Sequence, residues 1–190
     1  MINTDKLVSA IEQYKEYFPN KWIEERYKWE AIKCFQDNWD INASDFAEML
    51  KKALSKTGNL LASGYAYPRR MIKDFAAADP EAVRAMFADL FDEDIDLSGR
   101  VERFMNSAEV VRTNYSLTYE WKGKHYQNTN SISVYLWLRY PEKYYTYKYD
   151  IFSKVAKEFD DSYMPKANGQ VDNMIGGFRI TGWTSDADGG

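Results

Sequence analysis

The chain has 190 residues, 45% hydrophobic and 28% charged, and carries a net charge of −4 at pH 7. This size suits one large domain or two small ones, and the acidity argues against a protein that is basic over its whole surface. A single cysteine, Cys34, excludes an internal disulfide, and a single histidine, His125, excludes most metal sites built on histidine. No apolar run is long enough to span a membrane, so we expect a cytoplasmic protein.

The first 110 residues have the spacing of amphipathic helices. Leu7, Ile11, Tyr14 and Phe18 follow an i, i+4, i+7, i+11 pattern, which predicts a first helix that Pro19 ends. The same kind of spacing predicts five more helices, at about residues 23–35, 46–54, 68–75, 80–90 and 101–108.

Short polar residues precede several of these helices and can cap them. We expect Asn42 or Ser44 to cap the third helix and Ser98 to cap the sixth, because short polar side chains accept hydrogen bonds from free N-terminal amides. Asp79 followed by Pro80 predicts a cap and a first-turn proline at the start of the fifth helix.

The pattern changes near residue 114. In YSLTYEWK, residues 115–122, large apolar and polar residues alternate, which predicts a half-buried strand. KYYTYKYD, residues 143–150, alternates in the same way. Between them, SISVYLWLRY, residues 131–140, is predicted to be helical, and a short helix is expected over 151–159.

The chain is therefore predicted to have an α+β fold. A predominantly helical part covers residues 1–110 and a small mixed part with one or two aromatic-rich strands covers 111–182. We expect the two parts to pack together as one module. Residues 183–190 have the composition of a linker-like tail.

Residues 111–150 are both basic and aromatic. They carry six Lys and Arg against three Asp and Glu, and nine of the 15 tyrosines. Single-stranded bases stack on aromatic rings, and cationic side chains bind phosphates. A row of tyrosines can equally be one packed face of a sheet, and an asparagine before a helix can be its cap. The candidate DNA-binding residues are Lys124, Arg139, Lys143 and Lys148 for phosphates and Tyr126, Tyr147 and Asn128 for bases.

The chain has no recognisable catalytic motif. A phosphate-binding loop of the NTPase type is absent from the sequence. Glu120-Trp121-Lys122 has the E-x-K form of metal-dependent nucleases, and Asp94 or Asp96 could join it to bind Mg²⁺. A solvated pair on the polar face of a strand is the alternative. We predict no catalytic residue, no metal site and no cofactor in this chain.

Three stretches, residues 26–41, 63–104 and 125–150, resemble the N-terminal region of a group of bacterial AAA-family ATPases. These are the McrB-type subunits of modified-cytosine restriction systems. The resemblance implies a module that precedes a nucleotide-hydrolysing motor domain, with a separate McrC-type nuclease subunit as partner. Characterised modules of this kind recognise DNA, some by flipping a modified base such as 5-methylcytosine into a pocket.

Two functions follow as expectations from this resemblance. The first is a non-catalytic DNA-recognition module of a McrB-type restriction ATPase, with residues 112–148 as its contact surface. The alternative is a protein-interaction or assembly module of the same ATPase that does not touch DNA. The alternative predicts that no cavity lies beside Tyr147 and Lys148.

Overall fold

The protein is described by a computed structural model that covers residues 3–62, 64–166 and 170–180. These residues form nine α-helices and one short 3₁₀ helix. No described residue belongs to a β-strand, and Ala66 forms an isolated bridge. The helices are α1 (Thr4–Glu25), α2 (Tyr27–Asn38), α3 (Phe46–Ala53), the 3₁₀ helix (Gly58–Leu60), α4 (Pro68–Ala78), α5 (Pro80–Leu90), α6 (Leu97–Tyr119), α7 (Thr129–Arg139), α8 (Tyr149–Glu158) and α9 (Gln170–Ile180).

Helix α7 lies at the centre of the fold. It packs on α2 and α9, and eight of its 11 residues are buried. The fully buried Tyr135 also places its ring 5.2 Å from that of Phe87 in α5 and 5.9 Å from that of Phe104 in α6. A helix surrounded on all sides is apolar all round, which explains why residues 131–140 show neither a helical stripe nor a clear polar face.

The helices α2 to α6 pack in chain order around an aromatic cluster. Trp39 lies at the centre of this cluster, with ring centroids 5.0–6.0 Å from those of Phe35, Phe46, Phe87 and Phe91. Aromatic pairs at such distances stabilise a core beyond the area that they bury. The apolar spacing of the first 110 residues therefore reflects one shared core, and the predicted helical character of this region is confirmed.

Two of the predicted helix starts are confirmed and two predicted caps are wrong. Pro68 begins α4, and Asp79 caps α5 by accepting a hydrogen bond from the amide of Ala82 at 3.0 Å. The third helix is capped by Asp45, not by Asn42 or Ser44, and the sixth by Asp96, not by Ser98. A cap must directly precede the first helical residue, and these helices begin at residues 46 and 97.

The prediction that Pro19 ends the first helix is wrong. Helix α1 continues through it to Glu25, and the helical hydrogen bonds resume when Arg26 donates to the carbonyl of Trp22 at 2.8 Å. Proline in a helix interior removes one hydrogen bond and crowds the preceding turn. This effect is confined to the turn before Pro19, and α1 continues as a single helix.

The strand predicted over residues 115–122 is wrong, because α6 extends to Tyr119. Tyr115 and Tyr119 stack at 4.4 Å, one helical turn apart, and Tyr115 also contacts Phe75 of α4. Leu117 is 82% exposed. The apparent alternation came from two rings spaced four residues apart with an exposed leucine between them, and four-residue spacing satisfies both periods.

The strand predicted over 143–150 is also wrong. Residues 144–148 are irregular and end at the start of α8. Tyr144 and Tyr147 are buried, whereas Tyr145 is half-buried and Tyr149 exposed, so burial does not alternate. The amide of Tyr147 donates to the hydroxyl of Ser133 at 2.8 Å, where a strand would pair with another strand. The fold is thus predominantly helical, and its expected β part is not found in the described chain.

The remaining expectations concern the limits of the two parts. Helix α6 passes through residue 110, where a change from a helical to a mixed part was expected. The linker-like tail, 183–190, lies outside the described residues. Within the described chain, every helix is too short or too polar to cross a bilayer.

Phe87 of α5 provides a test of this core, since its ring contacts those of Trp39, Phe104 of α6 and Tyr135 of α7. We expect Phe87→Ala to lower the free energy of unfolding by about 3–5 kcal/mol through loss of contacts and formation of a cavity. Urea unfolding followed by circular dichroism measures this. Leu117→Ala, on the exposed face of α6, should change stability by no more than about 0.5 kcal/mol. Equal effects of the two substitutions would contradict the assigned core.

Candidate functional site

Two segments that flank α7 contain the candidate DNA-binding residues. We call residues 120–128, between α6 and α7, the basic loop, and residues 143–148, between α7 and α8, the tyrosine segment. Both are held by buried side chains of α7 and its neighbours, as described below. The positions of these two segments therefore determine which of the candidate residues lie close together.

Tyr144 and Tyr147 anchor the tyrosine segment. The guanidinium of Arg100 donates to the Tyr144 hydroxyl at 2.9 Å, and this hydroxyl donates to Glu93 at 2.7 Å. Further along, the amide of Tyr147 is bound by Ser133 of α7. The segment is therefore attached to both the α5–α6 loop and the central helix.

Glu93 is the centre of a buried charge network. Arg100, which is buried, donates to it at 2.7 Å and to the carbonyl of Leu90 at 2.8 Å, and Lys143 is also paired with it. Partial burial alone would raise the pKa of the Glu93 carboxyl, but hydrogen bonds from Lys143, Tyr144 and Arg100 outweigh burial and lower it. Burial, aided by the neighbouring carboxylate, raises the pKa of Tyr144 to about 12. Lys143 is therefore paired with a carboxylate of the protein, although its side chain is partly exposed.

A cavity of about 330 Å³ lies between the tyrosine segment, the first half of α7 and helices α8 and α9. Its walls are mostly apolar and aromatic. The lining residues are Tyr27, Lys28, Asn59, Leu60, Asn130, Val134, Tyr145, Thr146, Tyr147, Lys148, Ile151, Phe152, Val155, Gly177 and Phe178. Pockets that bind small ligands have this character, with apolar walls and a few polar groups, and this volume is at the lower end of their range.

One polar atom of the lining has no partner. The side-chain oxygen of Asn130 is buried and accepts no hydrogen bond within the described part of the chain. Leaving a buried acceptor unpaired costs about 1–3 kcal/mol, so such an atom in a folded protein needs a physical explanation, such as a bound water, an ion or a functional role. Asn130 was not predicted as a site residue. The sequence offered only its position before an apolar helix.

The Tyr147 hydroxyl is also buried without a hydrogen bond of normal geometry to any described residue. Burial raises the pKa of Tyr147 to about 12, with Tyr163 and Tyr149 adding to the increase and Asn173 opposing it. Its ring packs on Gly177 of α9, where a Cβ atom would come within 3.2 Å of the ring. Gly176 and Gly177 are both helical, and they let the rings of Tyr163 and Tyr147 approach α9.

Two lysines line the cavity, and only one of them is ion-paired. Lys28 is bound to Glu25, one helical turn away. Lys148 is exposed and forms no ion pair with the described residues. Of the predicted phosphate-binding residues, Lys148 is therefore the one that combines an available charge with a place beside the cavity.

The buried Gln127 shapes the basic loop. Its side-chain oxygen accepts from the Tyr135 hydroxyl at 2.9 Å, and its side-chain nitrogen donates to the carbonyls of Pro68 at 2.9 Å and His125 at 3.0 Å. Burial strongly raises the pKa of the Tyr135 hydroxyl, so it stays neutral and donates. Gln127 links α7, α4 and the loop. The sequence suggested base contacts for the neighbouring Tyr126 and Asn128 and did not predict this internal role of Gln127.

Asn128 caps α7. Its side-chain oxygen accepts from the amide of Ser131 at 3.2 Å, and the Ser131 hydroxyl accepts from the amide of Asn128 at 2.9 Å. This reciprocal pair is a capping box. The alternative role as a helix cap is therefore the one observed, and the oxygen that we had expected to contact a base is occupied.

The basic loop forms one wall of a polar groove of about 690 Å³, whose lining includes Lys122, Lys124, Tyr126, Arg112 and Glu109. Tyr126 has a left-handed backbone, with φ of 59°. Arg112 is paired with Glu109, whereas the exposed Lys122 and Lys124 form no ion pair in the described chain. The groove thus presents two available positive charges.

His125 is held in the same groove in a neutral form. Its Nδ1 accepts a hydrogen bond from the amide of Gln127 at 2.9 Å, and its Nε2 lies 3.8 Å from Glu109. Burial lowers the pKa of His125, and Glu109 opposes this effect only in part. The imidazole therefore contributes a hydrogen-bond donor, and no charge, near neutral pH.

The start of α4 adds further aromatic and basic residues beside the loop. The ring of Tyr67 lies 5.9 Å from that of Tyr126, edge to face, and Tyr65 is almost fully exposed. Arg69 and Arg70 follow in the first turn of α4. Sequence analysis missed this contribution because residues 65–70 are separated from the basic loop by about 50 positions in the chain.

Arg139 and Lys143 lie at the opposite end of α7 from Asn128. Arg139 is in the last turn, with its guanidinium 4.9 Å from the centre of the Tyr140 ring. A helix of 11 residues is about 16 Å long. The seven candidate residues therefore form no single surface: Lys124, Tyr126 and Asn128 line the groove, Tyr147 and Lys148 line the cavity, and the other two lie apart.

The nuclease-like residues do not converge. Asp96 caps the first turn of α6 and Glu120 follows its last turn, so the 23-residue helix separates them by about 35 Å. In the chain as described, no three His, Cys, Asp or Glu side chains are grouped closely enough to hold a metal ion. The metal site considered for Glu120 and Lys122 is thus not assembled.

Comparison with protein-family models, curated proteins and solved structures found no match to this chain. The candidate site therefore rests on its own geometry.

The Glu93 network provides a pH-dependent test. Because the folded-state pKa of Glu93 lies below its ordinary 4.5, its contribution to stability is present above that pH and is lost as the pH falls through the folded-state value. We expect Glu93→Gln to destabilise the protein by about 1–3 kcal/mol at neutral pH. The difference from wild type should shrink below pH 4.5 in urea unfolding. Glu48→Gln, which removes an exposed pair with Lys51, should show little effect at any pH.

Asn130 provides a second test. Replacing its unpaired buried oxygen with an apolar side chain of similar size should leave the free energy of unfolding unchanged or raise it by up to about 2 kcal/mol. Asn130→Leu, measured by urea unfolding, checks this, with Asn59→Leu at the exposed edge of the cavity as control. Marked destabilisation by Asn130→Leu would mean that the oxygen is satisfied in solution.

Proposed function

We propose that this chain is a non-catalytic DNA-recognition module whose cavity accepts one unstacked base. The observation that carries the proposal is the aromatic cavity beside Tyr147 and Lys148, which Asn130, with its buried and unpaired side-chain oxygen, also lines. The alternative of an assembly module without DNA contact predicted no such cavity. The proposal assigns no catalytic step and no cofactor to this chain.

The chemistry of the cavity suits a nucleobase. Bases extruded from a duplex are bound between aromatic and apolar side chains and are read by hydrogen bonds to their edges. Tyr27, Tyr145 and Phe152 supply rings of this kind. The Asn130 oxygen is an acceptor, and the exocyclic amines of cytosine and adenine are donors. We therefore expect amino-bearing bases to be preferred over thymine.

The available positive charges suit the strand that carries this base. Lys148 lines the cavity, and Lys122 and Lys124 line the groove. The cavity and the groove each include a residue near the start of α7, Asn130 in the first and Asn128 in the second. In this proposal the DNA backbone contacts the lysines of the groove and Lys148, while the unstacked base enters the cavity.

The resemblance to McrB-type ATPases extends this proposal to the longer protein. A recognition module of this kind would act with an AAA motor domain and a McrC-type nuclease subunit, and modified cytosine would be the base of interest. A cytoplasmic location belongs to the same proposal. In this proposal, the residues of the cavity and the groove are the ones that contact DNA.

Fluorescence anisotropy with short duplexes tests the proposal. The duplexes are plain, cytosine-modified, and mismatched at one cytosine so that this base unstacks at lower cost. We expect tighter binding to the mismatched or modified duplex and weaker binding as salt increases. Lys148→Glu should weaken binding to every duplex and reduce the salt dependence by about one unit of slope. Lys33→Glu is the matched control, because it makes the same charge change on an exposed face of α2.

Asn130→Leu separates base recognition from phosphate binding in the same assay. It should abolish the preference for the mismatched or modified duplex while leaving salt-dependent binding to the plain duplex in place. A folded protein that binds no duplex at low salt would overturn the proposal in favour of the assembly function. Equal losses from Lys148→Glu and Lys33→Glu would show that binding does not use the cavity.

A further inference from the structure

Helix α1 carries an apolar stripe that no described residue buries. Leu7, Ile11, Tyr14, Phe18 and Trp22 lie on one face of the helix, at the spacing of a helical stripe. None of them is buried, and none belongs to the hydrophobic core. Ile11, Tyr14 and Trp22 are 44%, 53% and 43% exposed. A monomer therefore leaves a continuous apolar face open to water.

The aromatic half of the stripe extends onto α2. The ring of Phe18 lies 5.4 Å from that of Tyr14, 5.9 Å from that of Trp22 and 5.7 Å from that of Trp29. Trp29 is itself 45% exposed. These four rings pack on one another without contacting the core, so they form a preassembled surface.

The body holds α1 mainly near its two ends. At the N-terminus, the amide of Asn3 donates to the carbonyl of Phe159 at 2.7 Å, and Lys6 pairs with Asp160 at 2.9 Å. At the C-terminus, the chain continues through Arg26 directly into α2. The middle of the helix, with most of its stripe, faces solvent.

Helix α1 has little reason to stay helical without cover. Pro19 lies in its interior, where proline costs about 3 kcal/mol relative to alanine. Helices in proteins derive most of their stability from packing of an apolar face, and this helix buries none of its side chains. Its regular structure and its apolar stripe together point to a partner surface.

We propose that this partner is a second copy of the chain, packed antiparallel against the stripe through α1. A full aromatic side chain presents about 200 Å², and the half-exposed residues of the stripe with Val8 and Trp29 therefore offer roughly 600 Å² per copy. Two copies would bury about 1,200 Å², the lower limit of specific protein interfaces. A symmetric dimer uses the same patch twice.

The antiparallel arrangement packs the two different halves of the stripe against each other. The N-terminal half of the stripe is aliphatic, with Leu7 and Ile11, and its C-terminal half is aromatic, with Phe18 and Trp22. An antiparallel copy centred between residues 13 and 14 sets each aliphatic half against the rings of the other copy. A parallel copy would set rings against rings and leave the aliphatic halves together.

The same register pairs opposite charges. Glu12 and Lys15 border the stripe on one side, and neither forms an ion pair within the described residues. In the antiparallel register, Glu12 of one copy faces Lys15 of the second copy, and symmetry repeats the pair. Such pairs set register more than they add affinity.

Sedimentation equilibrium of the full chain, from low micromolar to several hundred micromolar, tests the proposal. We expect a reversible monomer–dimer equilibrium. Trp22→Glu should weaken the dimer at least about tenfold, because it places a charge where the aromatic half of one copy packs on the aliphatic half of the other. Ile23→Glu is the matched control: it adds the same charge at the neighbouring position, which is 77% exposed and lies off the stripe, and should leave the dimer intact.

Charge exchange tests the register. Lys15→Glu and Glu12→Lys should each weaken the dimer, and the double variant should restore it, which a purely structural effect on α1 would not do. Unchanged far-ultraviolet circular dichroism and an unchanged urea-unfolding midpoint at low concentration would show that the body remains folded in each variant. A chain that stays monomeric at every concentration, or equal effects of Trp22→Glu and Ile23→Glu, would overturn the proposal and leave the stripe to a different partner. The outcome is independent of DNA binding.

Discussion

Helix α7 is buried on every side, and its polar side chains hold the two segments that form the candidate site. Tyr135 binds Gln127 and so fixes the basic loop, and Ser133 binds the amide of Tyr147 and so fixes the tyrosine segment. Because α7 packs on α2 and α9 and its rings meet those of α5 and α6, these attachments are as rigid as the core itself. A cavity can persist beside the tyrosine segment for this reason, although the segment has no regular structure.

Internal pairing reduces the positive charge that is available to a ligand. Lys143, Arg100 and Arg112 are each bound to a carboxylate of the protein. Lys148 remains at the cavity and Lys122 and Lys124 remain at the groove. An acidic protein can thus present a local positive surface, because its excess of carboxylates lies elsewhere and a Debye length of about 8 Å screens distant charges at physiological salt. The distribution of unpaired lysines matters more for DNA contact than the net charge.

The chain has two surfaces of different character. The surface around the start of α7 combines rings, amides and lysines, whereas the stripe on α1 is almost entirely apolar. Helix α1 is attached mainly at its ends, so a partner on the stripe would not need to disturb the cavity. Recognition and self-association, as proposed, would then occupy separate parts of the molecule, and a dimer would carry two cavities.

The sequence by itself determined most of the helices, because the signals for them are local and tertiary packing agrees with them. These signals are the apolar spacing, the Asp79-Pro80 pair at the start of α5 and Pro68 at the start of α4. The sequence also predicted Tyr147 and Lys148 as candidate DNA-binding residues, and both line the cavity. Only the tertiary structure decided the remainder. Rings spaced four residues apart, at Tyr115 and Tyr119, satisfy both helical and strand periods, and the contact with Phe75 of α4 selected the helix. The roles of Asn130, Gln127 and Glu93 could not be predicted from the sequence. Each role depends on which side chains surround the residue in the fold, and most of those side chains are distant in the sequence.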